Sequence, residues 1–153
     1  GCLNPDASLN EVQIQRLVSI IKNSGKEAVF HRAFDCCAEP FQTTEKLIKL
    51  EIDRILTSGL KPKAEEGLDL LRQLNDRYGR RIEFLAGSGV NASNAKRIME
   101  ATGLNQVHSS CKDWIEDGTT IQNGVSYSMI SGEKSMCYDV VSAGLVKNLI
   151  ESV

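Results

Sequence analysis

This chain carries no excess of basic charge: 18 Lys+Arg stand against 20 Asp+Glu, a net charge of −2. Nothing therefore announces a phosphate-backbone partner, and no nucleic acid is expected to bind. No apolar run approaches the ~20 residues that a membrane span needs, so no membrane association is expected either. The opening residues, Gly1-Cys2-Leu3-Asn4-Pro5-Asp6, lack the basic start and apolar core of a secretory signal. No Cys-x-x-Cys or His-x-x-x-His spacing occurs, which argues against a closed structural zinc site. No low-complexity stretch or linker interrupts the chain.

What is present is an ordinary globular composition, 41% hydrophobic and 25% charged over 153 residues. Apolar content is ample for a core, so disorder is excluded, and the length suits a single domain over residues 1–153. The five cysteines are odd in number, and Cys36 and Cys37 are adjacent. Neither feature suits a disulfide framework, so a reducing, cytoplasmic compartment is the expectation.

Four short apolar segments read as buried strands: residues 28–30, 54–56, 82–86 and 106–108. From Val29 to Ile55 is 26 residues, from Ile55 to Ile82 is 27, and from Ile82 to Val107 is 25. The intervals read as helices. Ser8 and Glu11 form a capping box ahead of an apolar face of Val12, Leu17, Val18, Ile20 and Ile21, and Gly25 ends that helix. Residues 41–50 follow Pro40, and residues 64–78 precede Gly79. Asn91 or Ser93 caps a helix that Gly103 ends, and residues 140–150 form a last amphipathic helix through Val141, Leu145, Val146, Leu149 and Ile150. Such alternation predicts consecutive βα units and a parallel sheet. Residues 111–138 read as a long loop with at most one short strand. Trp114 reads as packing within that loop, and Arg80-Arg81 as a solvated turn.

Each predicted strand ends in a polar cluster: His31-Arg32-Ala33-Phe34-Asp35, Thr57-Ser58-Gly59, Gly87-Ser88-Gly89 and His108-Ser109-Ser110. In a (β/α)₈ barrel all strand C-termini open onto one face, which carries the active site. Arg32 and Asp35 need each other or a ligand, because an unpaired charge at a strand end is costly. Gly87, Ser88 and Gly89 ahead of a helix start offer backbone amides to an anion. With Ser109 and Ser110 they would cradle a phosphate or carboxylate. His31 and His108 are candidate general acids or bases near neutral pH, and Asp35 would orient one of them or share the acid–base work. Cys36 and Cys37 are soft ligands that would suit Cu(I).

Phe30-His31-Arg32-Ala33-Phe34-Asp35, Asp53-Arg54-Ile55-Leu56-Thr57-Ser58-Gly59, Ala86-Gly87-Ser88-Gly89-Val90 and Val107-His108-Ser109-Ser110 together resemble the CutC copper-homeostasis family in order and spacing. Ser88 departs from that pattern, since the family mostly has Gly or Ala there. The resemblance implies an α/β (β/α)₈ TIM barrel, a cytoplasmic location, copper handling, and cysteine ligands if Cu(I) is bound. It also implies that the family's first strands, with their glutamate-cysteine and arginine-proline motifs, are missing here. Gly1-Cys2-Leu3 would then be the tail of the fourth strand. A full barrel at this repeat needs roughly 210 residues, so the expected fold is an incomplete barrel, about its C-terminal half.

Two functions follow as expectations: copper binding in homeostasis, or catalysis on a small anionic metabolite, phosphorylated or not, at the mouth. A half barrel leaves two open sheet edges and an uncovered interior. The chain purified alone is therefore expected to be poorly soluble, or to pair with another chain as a homo-oligomer. Size-exclusion chromatography checks this, and a stable, cooperatively folding monomer would contradict it.

Overall fold

The computed structural model describes residues 1–119, 121–128 and 130–153. The first helix is α1 (Glu11–Asn23). Three strand–helix units follow: β1 (Val29–Phe30) with α2 (Pro40–Lys49), β2 (Arg54–Thr57) with α3 (Leu68–Tyr78), and β3 (Glu83–Gly87) with α4 (Ala95–Thr102). β4 (Val107–His108) completes a four-stranded sheet in the order β1-β2-β3-β4, every neighbouring pair parallel. The strands predicted from the 26-residue rhythm are all found within a residue or two of their expected ends. Phe30, Phe34, Leu47, Ile55, Leu71, Leu74, Phe84 and Ile98 are almost wholly buried and pack the sheet against its helices.

Several boundaries differ from the sequence reading, each for a local reason. Asn10, not Ser8, caps α1 by accepting from the Gln13 amide at 3.0 Å, because Ser8 is already engaged with Asp6. Of α1, Ile14 and Val18 are buried, while Val12, Leu17 and Ile20 stay exposed. The stretch before α3 starts as a 3-10 turn, Ala64–Glu66, and Gly67 separates it from the helix. Asn91 closes its own turn by accepting from Ser93 N–H at 2.9 Å, which delays α4 to Ala95. Gly103, at φ +69°, ends α4 in the left-handed conformation that glycine tolerates best.

The segment expected to be a loop with one short strand instead holds two antiparallel strand pairs. β5 (Lys112–Glu116) pairs antiparallel with β8 (Cys137–Val141), and β6 (Ile121–Gln122) with β7 (Val125–Ser126). Val140 and Val141 thus belong to β8, and α5 (Ala143–Glu151) begins after Ser142, which caps it. None of the α5 residues is fully buried, and Ile150 is 67% exposed. Trp114 lies in β5, and the Lys112 and Lys134 ammonium groups sit 5.3 and 4.4 Å from its ring centroid. Leu3 bridges Leu9, and Gly1 lies against Phe30 and Ala33. The first residues therefore run beside β1 without pairing to it as the tail of a strand would.

Two carboxylates bind the strand starts together. Asp53 accepts from Lys22 Nζ at 2.5 and 2.6 Å and from the Ala28 amide at 2.6 Å, joining the end of α1 to the starts of β1 and β2. Glu83 faces Arg54 across the β2–β3 register, 2.6 Å away, and accepts from Gln106 Nε2 at 2.8 Å. Burial opposes the charge of Asp53, but the Lys22 ammonium and the Ala28 amide outweigh it and hold the carboxyl below its ordinary value. Glu83 is held low by the Gln106 amide and by Arg54.

Both carboxyls release their protons more readily folded than unfolded, so their stabilisation is present above the unfolded pKa and is lost on acidification. The melting temperature is expected to hold near neutrality and to fall as pH drops below about 4. Asp53→Asn should lower the neutral value and flatten that decline; thermal melts followed by circular dichroism across pH 2.5–7 (roughly the carboxylate range) measure both.

Candidate functional site

The C-terminal ends of the four parallel strands carry the polar residues, and the geometry there centres on Asp35. After β1, His31 accepts the Ala33 amide on Nδ1 at 2.9 Å and caps a 3-10 turn, Arg32–Cys36. That turn buries Phe34 and brings the carboxylate of Asp35 back over the end of β2. Asp35 accepts from Thr57 Oγ1 at 2.5 Å, from the Ser58 amide at 3.0 and 3.1 Å, from Ser58 Oγ at 3.0 Å and from the Leu60 amide at 3.2 Å. Arg32 Nε closes the ring at 2.8 Å. The Asp35 side chain is 7% exposed, whereas that of Arg32 is 40% exposed.

Arg32 reaches further. Its Nη2 donates to Ser58 Oγ at 2.9 Å and to the Lys61 carbonyl at 3.3 Å, and the Ser58 hydroxyl also contacts that carbonyl. The Gly59 amide donates to Thr57 Oγ1 at 3.0 Å. Gly59 and Gly67 pack backbone to backbone, so a Cβ on Gly59 would lie 2.4 Å from the Gly67 carbonyl oxygen. The loop after β2 is thereby clamped. It is tied next to the loop after β3: Ser88 Oγ donates to the Pro62 carbonyl at 2.7 Å, and the Ala64 amide donates to the Ser88 carbonyl at 3.0 Å.

Gly87 pairs with His108 in the β3–β4 register, where a Cβ would strike Leu56 at 2.6 Å. Gly89, Ser109 and Ser110 line one cleft of about 450 Å³ together with Lys112 and, from α5, Leu145, Asn148 and Leu149. Residues 90–94 intervene between Gly89 and α4, which Asn94 rather than Asn91 or Ser93 precedes.

The structure thus gathers the expected residues in two groups. Arg32, Asp35, Thr57, Ser58 and Gly59 form one hydrogen-bonded network. Gly89, Ser109 and Ser110 share the cleft, which Gly87 and Ser88 do not line: Gly87 pairs with His108 in the sheet and Ser88 ties down the loop after β2. His31, directly after β1, and His108, in β4, are both exposed and lie at the two outer strands of the sheet. Three strand spacings of roughly 4.8 Å separate those strands, beyond hydrogen-bond reach. Sequence reasoning did not single out Lys61, whose backbone carbonyl accepts from Arg32 Nη2 at 3.3 Å.

Cys36 and Cys37 do not share an environment. Cys36 is exposed, whereas Cys37 is 5% exposed within the core. Burial pushes the Cys37 thiol up against a Thr43 hydrogen bond, with the Asp35 charge adding to the rise. A raised pKa disfavours the thiolate that ligates a metal. Among the described residues no group of three or more His, Cys, Asp and Glu is placed to hold a metal ion. The cysteine pair therefore does not fit a Cu(I) site as it stands.

Fold and site define an α/β protein with four parallel strands whose polar C-terminal ends meet at one edge. The family model described as the CutC family matches residues 1–113, which include all four strands, and the chain belongs to that family. A CutC family protein of Bacteroides fragilis is 36% identical over 154 aligned positions, covering all of this chain and 61% of the relative. One of Porphyromonas gingivalis is 41% identical over 112 positions, 73% of this chain and 44% of the relative. The crystal structure of CutC from Streptococcus agalactiae, a protein with copper homeostasis in its name, is similar with a TM-score of 0.65 at 28% identity. That likeness covers 71% of this chain and 52% of the other. This chain spans 44–61% of the length of these two curated relatives. Among the described residues no helix is long and apolar enough to cross a membrane.

Removing a buried acceptor leaves its donors unsatisfied. Asp35→Ala takes the acceptor from the Thr57 hydroxyl and the Ser58 and Leu60 amides, while the half-exposed Arg32 stays in reach of water, so it should cost about 1–3 kcal/mol. Urea unfolding at pH 7 measures this; a cost under about 1 kcal/mol, the scale of an exposed pair, would refute the central place of Asp35.

Proposed function

We propose that this chain forms the C-terminal βα units of a CutC-type (β/α)₈ barrel that serves copper homeostasis in the cytoplasm. The observation that carries this reading is the family match across residues 1–113, supported by the copper role in the name of the Streptococcus agalactiae relative. The five cysteines, all free, suit a reducing compartment. The environments of Cys36 and Cys37 argue against a thiolate copper site made by those two residues alone.

A second reading is favoured by the site itself. The half-exposed Arg32 guanidinium keeps Nη1 without a protein partner among the described residues, at the end of β1. A fixed, planar donor at a strand end is suited to a carboxylate or phosphate. In this reading the barrel mouth binds a small anionic metabolite, and His31 or His108 moves a proton on it. Asp35 acts by holding Arg32 in place, since its own oxygens are already engaged.

Cu(I) titration under reducing conditions, read by native mass spectrometry, tests the copper chemistry. The double variant Cys36→Ser, Cys37→Ser is expected to keep the copper stoichiometry of the unaltered chain. Loss of one bound copper in the variant would restore the cysteine pair as ligands.

A further inference from the structure

We propose that the two histidines at the strand ends have fixed and different roles: His108 is the group that takes up and returns a proton, and His31 is a neutral hydrogen-bond donor through Nε2–H. The proposal rests on the reading above in which the mouth binds a small anionic metabolite, and it assigns which histidine does what.

Register puts both rings on one face of the sheet. Phe30, Ile55 and Phe84 are partners across three strands and are buried against the helices. Side chains alternate along a strand, so Val29, Arg54, Glu83, Leu85 and Gly87 take the other face. His31 keeps an extended backbone, φ −84° and ψ −169°, and follows Val29 by two residues, so it shares that face. His108 is the register partner of Gly87 and shares it too. A Cβ built on Gly87 would meet Leu56 Cδ1 at 2.6 Å, and His108 Cβ and Cδ2 at 3.5 and 3.7 Å. The Leu56 side chain and the Cδ2 edge of His108 thus border Gly87 on that face.

The rings differ in what their nitrogens already do. His31 Nδ1 accepts the Ala33 amide at 2.9 Å and so caps the turn that carries Arg32 and Asp35. An accepting ring nitrogen holds no proton, so the neutral ring carries its proton on Nε2. A proton on Nδ1 would set two N–H donors against each other and give up the cap. His31 therefore presents a donor and no free lone pair. Among the described residues His108 has no hydrogen-bond or ion-pair partner, and no carboxylate pairs with either ring. The Asp35 oxygens are engaged by Thr57, Ser58, Leu60 and Arg32.

The lone pair of neutral His108 is thus open to a ligand. That lone pair takes the proton, the electrons of the broken bond stay with the ligand, and the imidazolium returns the proton in a later step. His31 Nε2–H meets negative charge on the ligand without changing its own protonation, as a preorganised donor does.

The chain has two histidines, so each can be followed by itself. Ring proton–nitrogen correlation spectra at neutral pH should show His31 with a bare Nδ1 and a protonated Nε2, and His108→Gln identifies the signals. Diethyl pyrocarbonate reacts at an unprotonated ring nitrogen. It should modify His108 roughly three- to tenfold faster than His31, the scale of one hydrogen bond that must open first. Peptide mass mapping reads both rates. Both residues are exposed, so access by itself would make the rates equal. A proton on His31 Nδ1, or equal rates, overturns the assignment. Inorganic phosphate at constant ionic strength should shift the ring signals saturably. Absence of such shifts, with the tautomer and the rates as expected, overturns the anion reading on which the roles rest.

Discussion

The carboxylate of Asp35 is the point on which the upper half of this fold depends. A charge that is 7% exposed is tolerable only when its desolvation is repaid by directed bonds, and Asp35 has them from Thr57, Ser58, Leu60 and Arg32. These bonds run between the turn after β1 and the loop after β2, elements that share only two register pairs in the sheet. Phe34, in the same turn, is fully buried, so the polar hub and the core are set by one short segment. Asp35 therefore converts a two-residue strand pairing into a fixed edge.

From that hub the order passes to the next loop. Arg32 and Ser58 hold the Lys61 carbonyl, and Ser88 holds the Pro62 carbonyl. Three consecutive strand ends are thus linked by side chains reaching backbone oxygens. The opposite ends of the strands are linked by the carboxylates of Asp53 and Glu83, which accept from the Ala28 amide, Lys22, Arg54 and Gln106. The sheet is short, with two-residue strands at both margins, and polar ties at its two ends complement the apolar packing between its layers.

The outer elements tell the complementary story. α1 leaves Val12, Leu17 and Ile20 exposed next to β1, and α5 leaves Leu145 and Ile150 exposed. Because the curated relatives are longer than this chain, apolar residues at the margins of the sheet are consistent with the barrel reading. The amphipathic patterns of α1 and α5 were legible in the sequence. Their burial was not, because the spacing of apolar residues says which face of a helix seeks a partner and not whether one is there.

The residues by themselves determined the parallel α/β order, the four strands and the polar strand ends, because period, glycine punctuation and strand composition act locally. The motif order also determined the family. The tertiary structure alone decided which polar residues serve each other. Arg32 and Asp35 close a ring with Ser58, 23 residues beyond Asp35, and Gly89 meets Lys63 from the neighbouring loop. It alone separated Cys36 from Cys37, since a 3-10 turn sends adjacent residues to solvent and to core. It also paired residues 112–116 with residues 137–141, strands separated by twenty residues, a pairing across distance that no local pattern encodes.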